Sequence, residues 1–370
     1  MQKRVPNILF AGGGTGGHLF PAIAIADEIR RIRPESQITF VGTRNRIEAR
    51  VVPRRGYDFA PIWISGFRRR WSIDSILIPL KIVVALVQSF FVMQKVKPDV
   101  VVGTGGYVCG PVVFMASIIG IPTLIQEQNS YPGITTRLLS TRADEVHLTF
   151  DASKKHLKRA KNLLLSGNPT RSAIGSVTRE EGAAHFELNP ALPTLLVFGG
   201  SLGAHTINDA VSRIMDQLIG MHVQVIWQTG EGDFEEVNAT VSGKVALTAA
   251  VRVRKFIERM EYAYAACDLA VCRAGATTVA ELTRAGTPSI LVPYPFAAAD
   301  HQTENAKTVV DSGAAVMIKD NDLRMELHST IAMLINDPRR LKRMAENALT
   351  LGKPDAAETL ARAALALARV

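Results

Sequence analysis

Apolar and polar positions along this chain follow a two-part rhythm: a short apolar run, a glycine-rich turn, then apolar residues at helical spacing. Residues 5–11 read as a buried strand and Gly12-Gly13-Gly14-Thr15-Gly16-Gly17-His18 as the turn. Residues 20–32 read as a helix carried by Ile23, Ile25, Ala26, Ile29 and Ile32. Strands are predicted next at 37–41, 59–62, 100–102, 123–125 and 145–148, with helices from Ser72 and from Pro111. Ser166-Gly167-Asn168-Pro169-Thr170-Arg171 reads as a hinge, after which the rhythm restarts. Residues 195–198 form a strand, 199–203 a glycine loop and 205–219 a helix, and further strands fall at 223–227, 253–257, 269–272 and 289–292. From Asp322 the pattern is helical to the end. Strands alternating with helices predict an α/β protein built on parallel sheets wrapped by helices. The halves share an outline but not a fixed-period repeat.

The chain has 370 residues, past the roughly 250–300 at which single cores stop growing, so two domains are expected. The N-terminal domain is placed at 1–168 and the C-terminal domain at 169–353. The last helix, 354–370, has Ala and Leu on most faces and is expected to pack back on the first domain. The three cysteines, Cys109, Cys267 and Cys272, lack metal-ligand spacing and sit in or beside apolar runs, so they read as buried thiols in a reducing compartment. The apolar run 8–11 is too short for a signal peptide, and none is expected.

Charge is distributed unevenly. The net charge is +9, and residues 1–100, with 16 Lys+Arg against 7 Asp+Glu, account for all of it. A positive end on an otherwise balanced chain points to an anionic surface or substrate. Part of it is Phe67-Arg68-Arg69-Arg70-Trp71, followed by Ile73, Ile76, Leu77, Leu80 and Lys81 within an apolar stretch reaching Met93. Asp74, Pro79, Lys81 and Gln88 interrupt that stretch, which argues against a spanning helix. The reading is a helix amphipathic in its first turns and packed in the core thereafter, with the arginines, Trp71 and the aliphatics forming an interfacial membrane patch. Too few basic residues alternate with aromatics for a nucleic-acid surface, and no nucleic-acid partner is expected.

The candidate chemistry lies in the turns. At 271–285 a strand ends in Arg273-Ala274-Gly275 and a helix begins at Thr277 or Thr278. Unpaired N–H groups at such a start favour an anion. Glu281, one turn in, could accept hydrogen bonds from two ribose hydroxyls. Asp300-His301-Gln302 opens another helix, so the unit suggests a nucleotide diphosphate site. Gly12–Gly17 matches G-x-G-x-x-G, but the second strand ends Val41-Gly42-Thr43-Arg44 without the acid an NAD site needs. An NADP-dependent oxidoreductase is the reading left from a different class. Two more glycine loops, 103–107 and 199–203, also follow strands, and two anionic ligands would account for the set. His18 at a helix start either takes a proton from an alcohol or donates a structural hydrogen bond. Glu127, with Asn129 at the same sheet edge, is either a base or a holder of a sugar hydroxyl. Asp320-Asn321-Asp322 spells D-x-D, but a helix begins there, so capping is expected. No His/Cys metal cluster appears.

Taken in order, GGGTGGHLFPA at 12–22, GTGGYVCGP at 103–111, EQNSYPG at 127–133, GNPTR at 167–171, GGSLGA at 199–204, RAGATTVAE at 273–281 and DHQTENA at 300–306 resemble the motifs of the MurG family. These are the UDP-N-acetylglucosamine transferases that convert lipid I to lipid II in peptidoglycan synthesis. The resemblance implies the GT-B fold, two Rossmann-like domains with the active site in a deep interdomain cleft, peripheral on the cytoplasmic face of the bacterial inner membrane. It implies UDP-N-acetylglucosamine as donor and an undecaprenyl-diphosphate-linked acceptor, lipid I, with no cofactor or metal. Arg171 and Ser201 would meet the donor phosphates and Ile257 the uracil. Ala276, Thr277, Thr278, Val279, Ala280 and Glu281 would hold the diphosphate and ribose, and Gln302 the sugar. Thr15, Gly16, Gly17 and Asn129 would close over the donor. Gly13, Gly14, Gly105, Gly106 and Tyr107 would take the acceptor diphosphate. The implied reaction is one displacement with inversion, with His18 as base and Glu127 as runner-up. Leu202 stands where the family often has Gln.

Overall fold

The computed structural model describes residues 4–65, 77–297 and 300–369. Apolar runs buried on both faces need helices on both sides, and the chain meets that need with two all-parallel sheets. The first holds β1 (Asn7–Gly12), β2 (Gln37–Gly42), β3 (Asp58–Pro61), β4 (Val100–Gly105), β5 (Thr123–Glu127), β6 (Glu145–Leu148) and β7 (Leu163–Leu165), in the order β3-β2-β1-β4-β5-β6-β7. The second holds β8 (Thr194–Phe198), β9 (Gln224–Gln228), β10 (Val251–Arg254), β11 (Leu269–Cys272), β12 (Ser289–Leu291) and β13 (Ala315–Met317), in the order β10-β9-β8-β11-β12-β13. In each sheet the order reverses beside the first strand, and ligands of such sheets bind at the carboxyl ends of the strands where that happens. β1 runs into the first glycine turn and β8 into the Gly199–Gly203 loop.

Contacts divide the chain into two compact units, residues 1–170 with 353–370, and residues 171–352. In the first, Phe10, Phe40 and Val102 share a core with Leu19, Ile25 and Ile29 of the helix Gly16–Ile32. The closing helix, Ala356–Leu367, adds Leu360, Ala361, Ala364 and Leu365 to that core. A second layer under the other face joins Val101 and Ile125 to Val108, Val112 and Ala116 of the helix Gly106–Ile119. The unit 171–352 has its own core around Trp227, Val197 and Val271.

Several expectations shift. The helices expected from Phe20 and Pro111 begin at Gly16 and Gly106, and each keeps its proline (Pro21, Pro111) inside. Both prolines fall in the second turn, past the first-turn positions whose N–H groups have no intrahelical partner, so each helix forgoes one backbone hydrogen bond there. The glycine turns are therefore shorter than they read, and His18 lies within a first helical turn. The strands β7 and β13 are not among the predicted ones. Asp320 does not cap: it accepts from the buried Arg273 guanidinium and from Thr206 Oγ1 at 2.7 Å. All three cysteines are buried, and burial pushes the Cys109 thiol up to about 12.

The membrane segment is also corrected. Phe67, Arg68, Arg69, Arg70, Trp71, Ile73 and Ile76 lie outside the described residues. In the helix Ile78–Val96, Lys81 is buried, donating to Ser65 Oγ at 3.0 Å with its ammonium over the Trp63 ring, so it does not face a membrane. Lys81, Ala85, Ser89 and Met93 form the buried stripe, and Leu80, Val83, Val87 and Phe91 form an exposed one. The apolar exposed face runs on to Phe91 rather than ending after the first turns. By length and composition the helix could cross a membrane.

Leu360 is fully buried in the N-terminal core. Leu360→Ala should lower unfolding free energy by about 2–5 kcal/mol, the usual cost of such a truncation, read from urea denaturation of the N-terminal unit's transition.

Candidate active site

In the unit 1–170 the carboxyl ends of β1, β4 and β5 bring three turns together. Glu48, buried in the first turn of the helix Ile47–Arg54, ties the first turn down. Its carboxylate accepts from Gly14 N–H at 3.1 Å, Thr43 N–H at 3.0 Å and Thr43 Oγ1 at 2.8 Å. The acid missing at the end of β2 thus arrives four residues past Arg44, but it grips the protein's own backbone. The second turn is locked to the first: Thr104 Oγ1 donates to His18 O at 2.8 Å. Gly106 has φ +78°, and a Cβ there would stand 2.5 Å from Gly13 O. Only glycine allows this approach. Tyr107 packs against Gly14, so Gly13, Gly14, Gly105, Gly106 and Tyr107 do form one cluster.

His18 Nδ1 lies 3.1 Å from Gln128 Oε1. Glu127 is committed to its own loop. It accepts from Asn129 N–H at 3.0 Å, Asn129 Nδ2 at 3.3 Å and Gly133 N–H at 3.0 Å, and it is buried. That arrangement makes Glu127 the holder of the Asn129–Gly133 turn. Thr15 and Gly17 are exposed beside His18, and Gly16 opens the helix.

In the unit 171–352 the turn after β11 leads into the helix Ala276–Ala285. Its N-cap, Gly275, offers no side-chain cap, and no acid lies in the first turn. The amides of Ala276, Thr277 and Thr278 thus suit an anion. Thr277 Oγ1 is buried and has no hydrogen-bond partner, so a ligand oxygen there would satisfy it. Val279 is buried, Ala280 is half-buried, and Glu281 is buried. Tyr264 Oη donates to Glu281 at 3.0 Å, and Arg171 Nε pairs with it at 3.4 Å. Burial pushes the Glu281 carboxyl up from the ordinary glutamate range; the charge of Arg171 and the Tyr264 hydrogen bond pull it partly back. Arg171 also donates to Glu258 O at 2.9 Å.

The other expected donor residues gather around the same edge. Ser201 is exposed in the loop after β8, and Leu202 is 90% exposed. Gly203, at φ +80°, lies so close to Thr229 O that a Cβ would stand 2.0 Å from it. Gln228, buried at the end of β9, donates to Gly200 O at 2.9 Å and accepts from Ile257 N–H at 2.7 Å, joining the β8 and β10 turns. Gln302 accepts from Tyr294 N–H at 3.0 Å in the first turn of the helix His301–Asp311.

Sequence reasoning missed Glu48, Gln128, Gln228, Tyr264 and the clamp formed by Arg273. Gln128 was the most accessible of these. It lies between Glu127 and Asn129 and points the other way by strand alternation.

The profile of the glycosyltransferase family 28 N-terminal domain matches residues 8–148, and that of the family 28 C-terminal domain matches residues 194–360. The chain belongs to glycosyltransferase family 28 and, within it, to the MurG family. Among curated relatives, the UDP-N-acetylglucosamine--N-acetylmuramyl-(pentapeptide) pyrophosphoryl-undecaprenol N-acetylglucosamine transferase of Salinibacter ruber is 46% identical, covering 100% of this chain and 98% of the relative. Its namesake in Chlorobium limicola is 44% identical over 98% of this chain and 100% of the relative. Among solved structures, that of Acinetobacter baumannii MurG aligns with a TM-score of 0.76 and 29% identity over 98% of this chain and 99% of that one. The oxidoreductase reading, carried by the first glycine turn and Arg44, gives way to family 28 membership, and Glu48 gives the local reason: part of that turn's amide capacity is already used.

Because the Glu281 carboxyl is raised in the folded state, the unfolded chain releases this proton first. The folded ligand-free protein therefore binds more protons from the ordinary glutamate range upward, and its stability falls as pH rises through that window. Glu281→Gln should flatten that part of the melting-temperature profile against pH. It should also weaken nucleotide binding about 10- to 100-fold, as expected for losing hydrogen bonds to a charged group, read by calorimetry.

Proposed function

We propose that this chain moves N-acetylglucosamine from UDP-N-acetylglucosamine to the 4-hydroxyl of the muramoyl sugar of undecaprenyl-diphosphate-linked N-acetylmuramoyl-pentapeptide, turning lipid I into lipid II. The observation that carries this reading is the buried Glu281 carboxylate, held by Tyr264 and Arg171 just inside an uncapped helix start. A carboxylate so placed accepts from both ribose hydroxyls while the helix start and Arg171 receive the diphosphate. Ile257 has its side chain buried and its N–H committed to Gln228, so it would meet uracil through its carbonyl. Gln302 would reach the sugar. The acceptor diphosphate would lie on the Gly13–Gly14 and Gly105–Tyr107 turns.

The reaction is a single in-line displacement with inversion at the anomeric carbon. His18 takes the proton of the attacking hydroxyl, with Thr15, Gly16, Gly17 and Asn129 bordering the donor. Arg171 and the amides of Ala276–Thr278 stabilise the departing UDP. Positive charge for the leaving group thus comes from the protein, and the reading requires no metal and no cofactor.

The enzyme works as a peripheral protein on the cytoplasmic face of the inner membrane and takes no nucleic acid. Support comes from the exposed stripe Leu80, Val83, Val87 and Phe91, and from the excess positive charge in residues 1–100.

His18→Ala should lower kcat by about 10²- to 10⁴-fold, the range of general-base contributions, with little change in donor KM, measured by UDP release. Undiminished turnover would remove His18 from the role. In thermal-shift assays UDP-N-acetylglucosamine should raise the melting temperature and NADPH should not. Changing Arg68, Arg69 and Arg70 together to Glu should abolish co-sedimentation with acidic vesicles while donor affinity stays unchanged; retained vesicle binding would rule the arginines out.

A further inference from the structure

A base must hold its lone pair on the nitrogen that faces the hydroxyl, and an imidazole has two nitrogens to choose from. In this protein the choice is made by Gln128, which is 2% exposed. Its Nε2 lies 2.7 Å from Thr104 O and 3.1 Å from Gln126 O, and also contacts Gln126 Oε1. Two of these three neighbours are backbone carbonyls, which only accept. Turning the amide over would set its oxygen against both, so the nitrogen end is fixed there and Oε1 must face His18. Gln126 holds its own orientation through Nε2 contacts of 3.4 Å to Gly167 O and 3.4 Å to Asn168 Oδ1.

With Gln128 Oε1 3.1 Å from His18 Nδ1, the Nδ1 atom must carry hydrogen. In the neutral ring the lone pair is then on Nε2. The pair tolerates no side chain at position 105, where a Cβ would stand 2.8 Å from Nδ1 and 3.5 Å from Gln128 Oε1. We propose that Gln128 is a positioning residue for the transfer reaction: it holds His18 in the Nδ1–H tautomer, so that Nε2 is the basic nitrogen presented to the acceptor hydroxyl. On transfer, Nε2 gains the proton, the hydroxyl oxygen forms the new glycosidic bond, and the bond to UDP breaks with its electron pair leaving on the diphosphate.

The proposal rests on His18 being the base, but its test separates the two. Long-range ¹⁵N–¹H spectra of protein with ¹⁵N-labelled histidine report the tautomer of each of the 8 histidines, and His18→Gln assigns the His18 signals. At a pH where the ring is neutral, the wild type should show hydrogen on Nδ1 and none on Nε2. Gln128→Met, which keeps the volume and removes the acceptor, should shift His18 toward the Nε2–H form. It should also lower kcat by about 10-fold or more, in the direction seen when a catalytic histidine is left in the wrong tautomer, with donor KM unchanged. A wild-type His18 with hydrogen on Nε2 overturns the proposal, as does a Gln128→Met enzyme with unaltered tautomer and kcat. Wild-type turnover in His18→Ala would overturn the base assignment instead, whatever the spectra show.

Discussion

A phosphate can be held by backbone only where N–H groups are left over and stay put, and that requirement governs both units of this protein. Parallel strands ending beside a topological switch supply the turns, and glycine lets them come close. Neither fixes a turn's shape. That work falls to buried polar side chains: Glu48 on the Gly14 turn, Gln128 between the β1 and β4 turns, Glu127 on the Asn129–Gly133 turn, Gln228 between the β8 and β10 turns, and Arg273, from the β11 turn, on the carbonyls of Val292 and Pro293 after β12. Each of these side chains satisfies backbone groups that would otherwise be buried unpaired, which costs about 1–3 kcal/mol per group. Each also has its hydrogen-bonding capacity engaged by the protein, which turns a flexible loop into a preorganised receptor.

The two units treat carboxylates differently. Glu127 and Glu48 face amide N–H groups of the protein itself. Glu281 has a phenol and a guanidinium instead. Burial already raises its carboxyl, and Arg171 keeps charge nearby. A carboxylate that is costly to ionise in isolation gains most from hydroxyl donors, which is what a ribose would bring to Glu281. Thr277 Oγ1, buried without a partner on the same helix start, follows the same logic.

Much of this was legible in the chain before any coordinates. Strand, glycine turn and helix recur often enough to expose the parallel sheets and the turns, and Glu281 follows its turn at a spacing that marks it. Helix starts were misjudged because Gly and Pro both read as breakers, yet Gly16, Gly17, Gly106, Pro21 and Pro111 all lie inside helices. The bracing side chains were not legible because their partners are remote: Glu48 meets Gly14 across 34 positions and Gln128 meets His18 across 110. Lys81 misled for a related reason. Its charge reads as surface, but Ser65 and the Trp63 ring give it a buried partner set.

The most direct measurement is a crystal structure of the protein soaked with UDP-N-acetylglucosamine. The ribose hydroxyls should sit on the Glu281 carboxylate, with the diphosphate against the amides of Ala276–Thr278 and the Thr277 hydroxyl. A uridine bound at any other turn, or a diphosphate held away from that helix start, would contradict the mechanism derived from it.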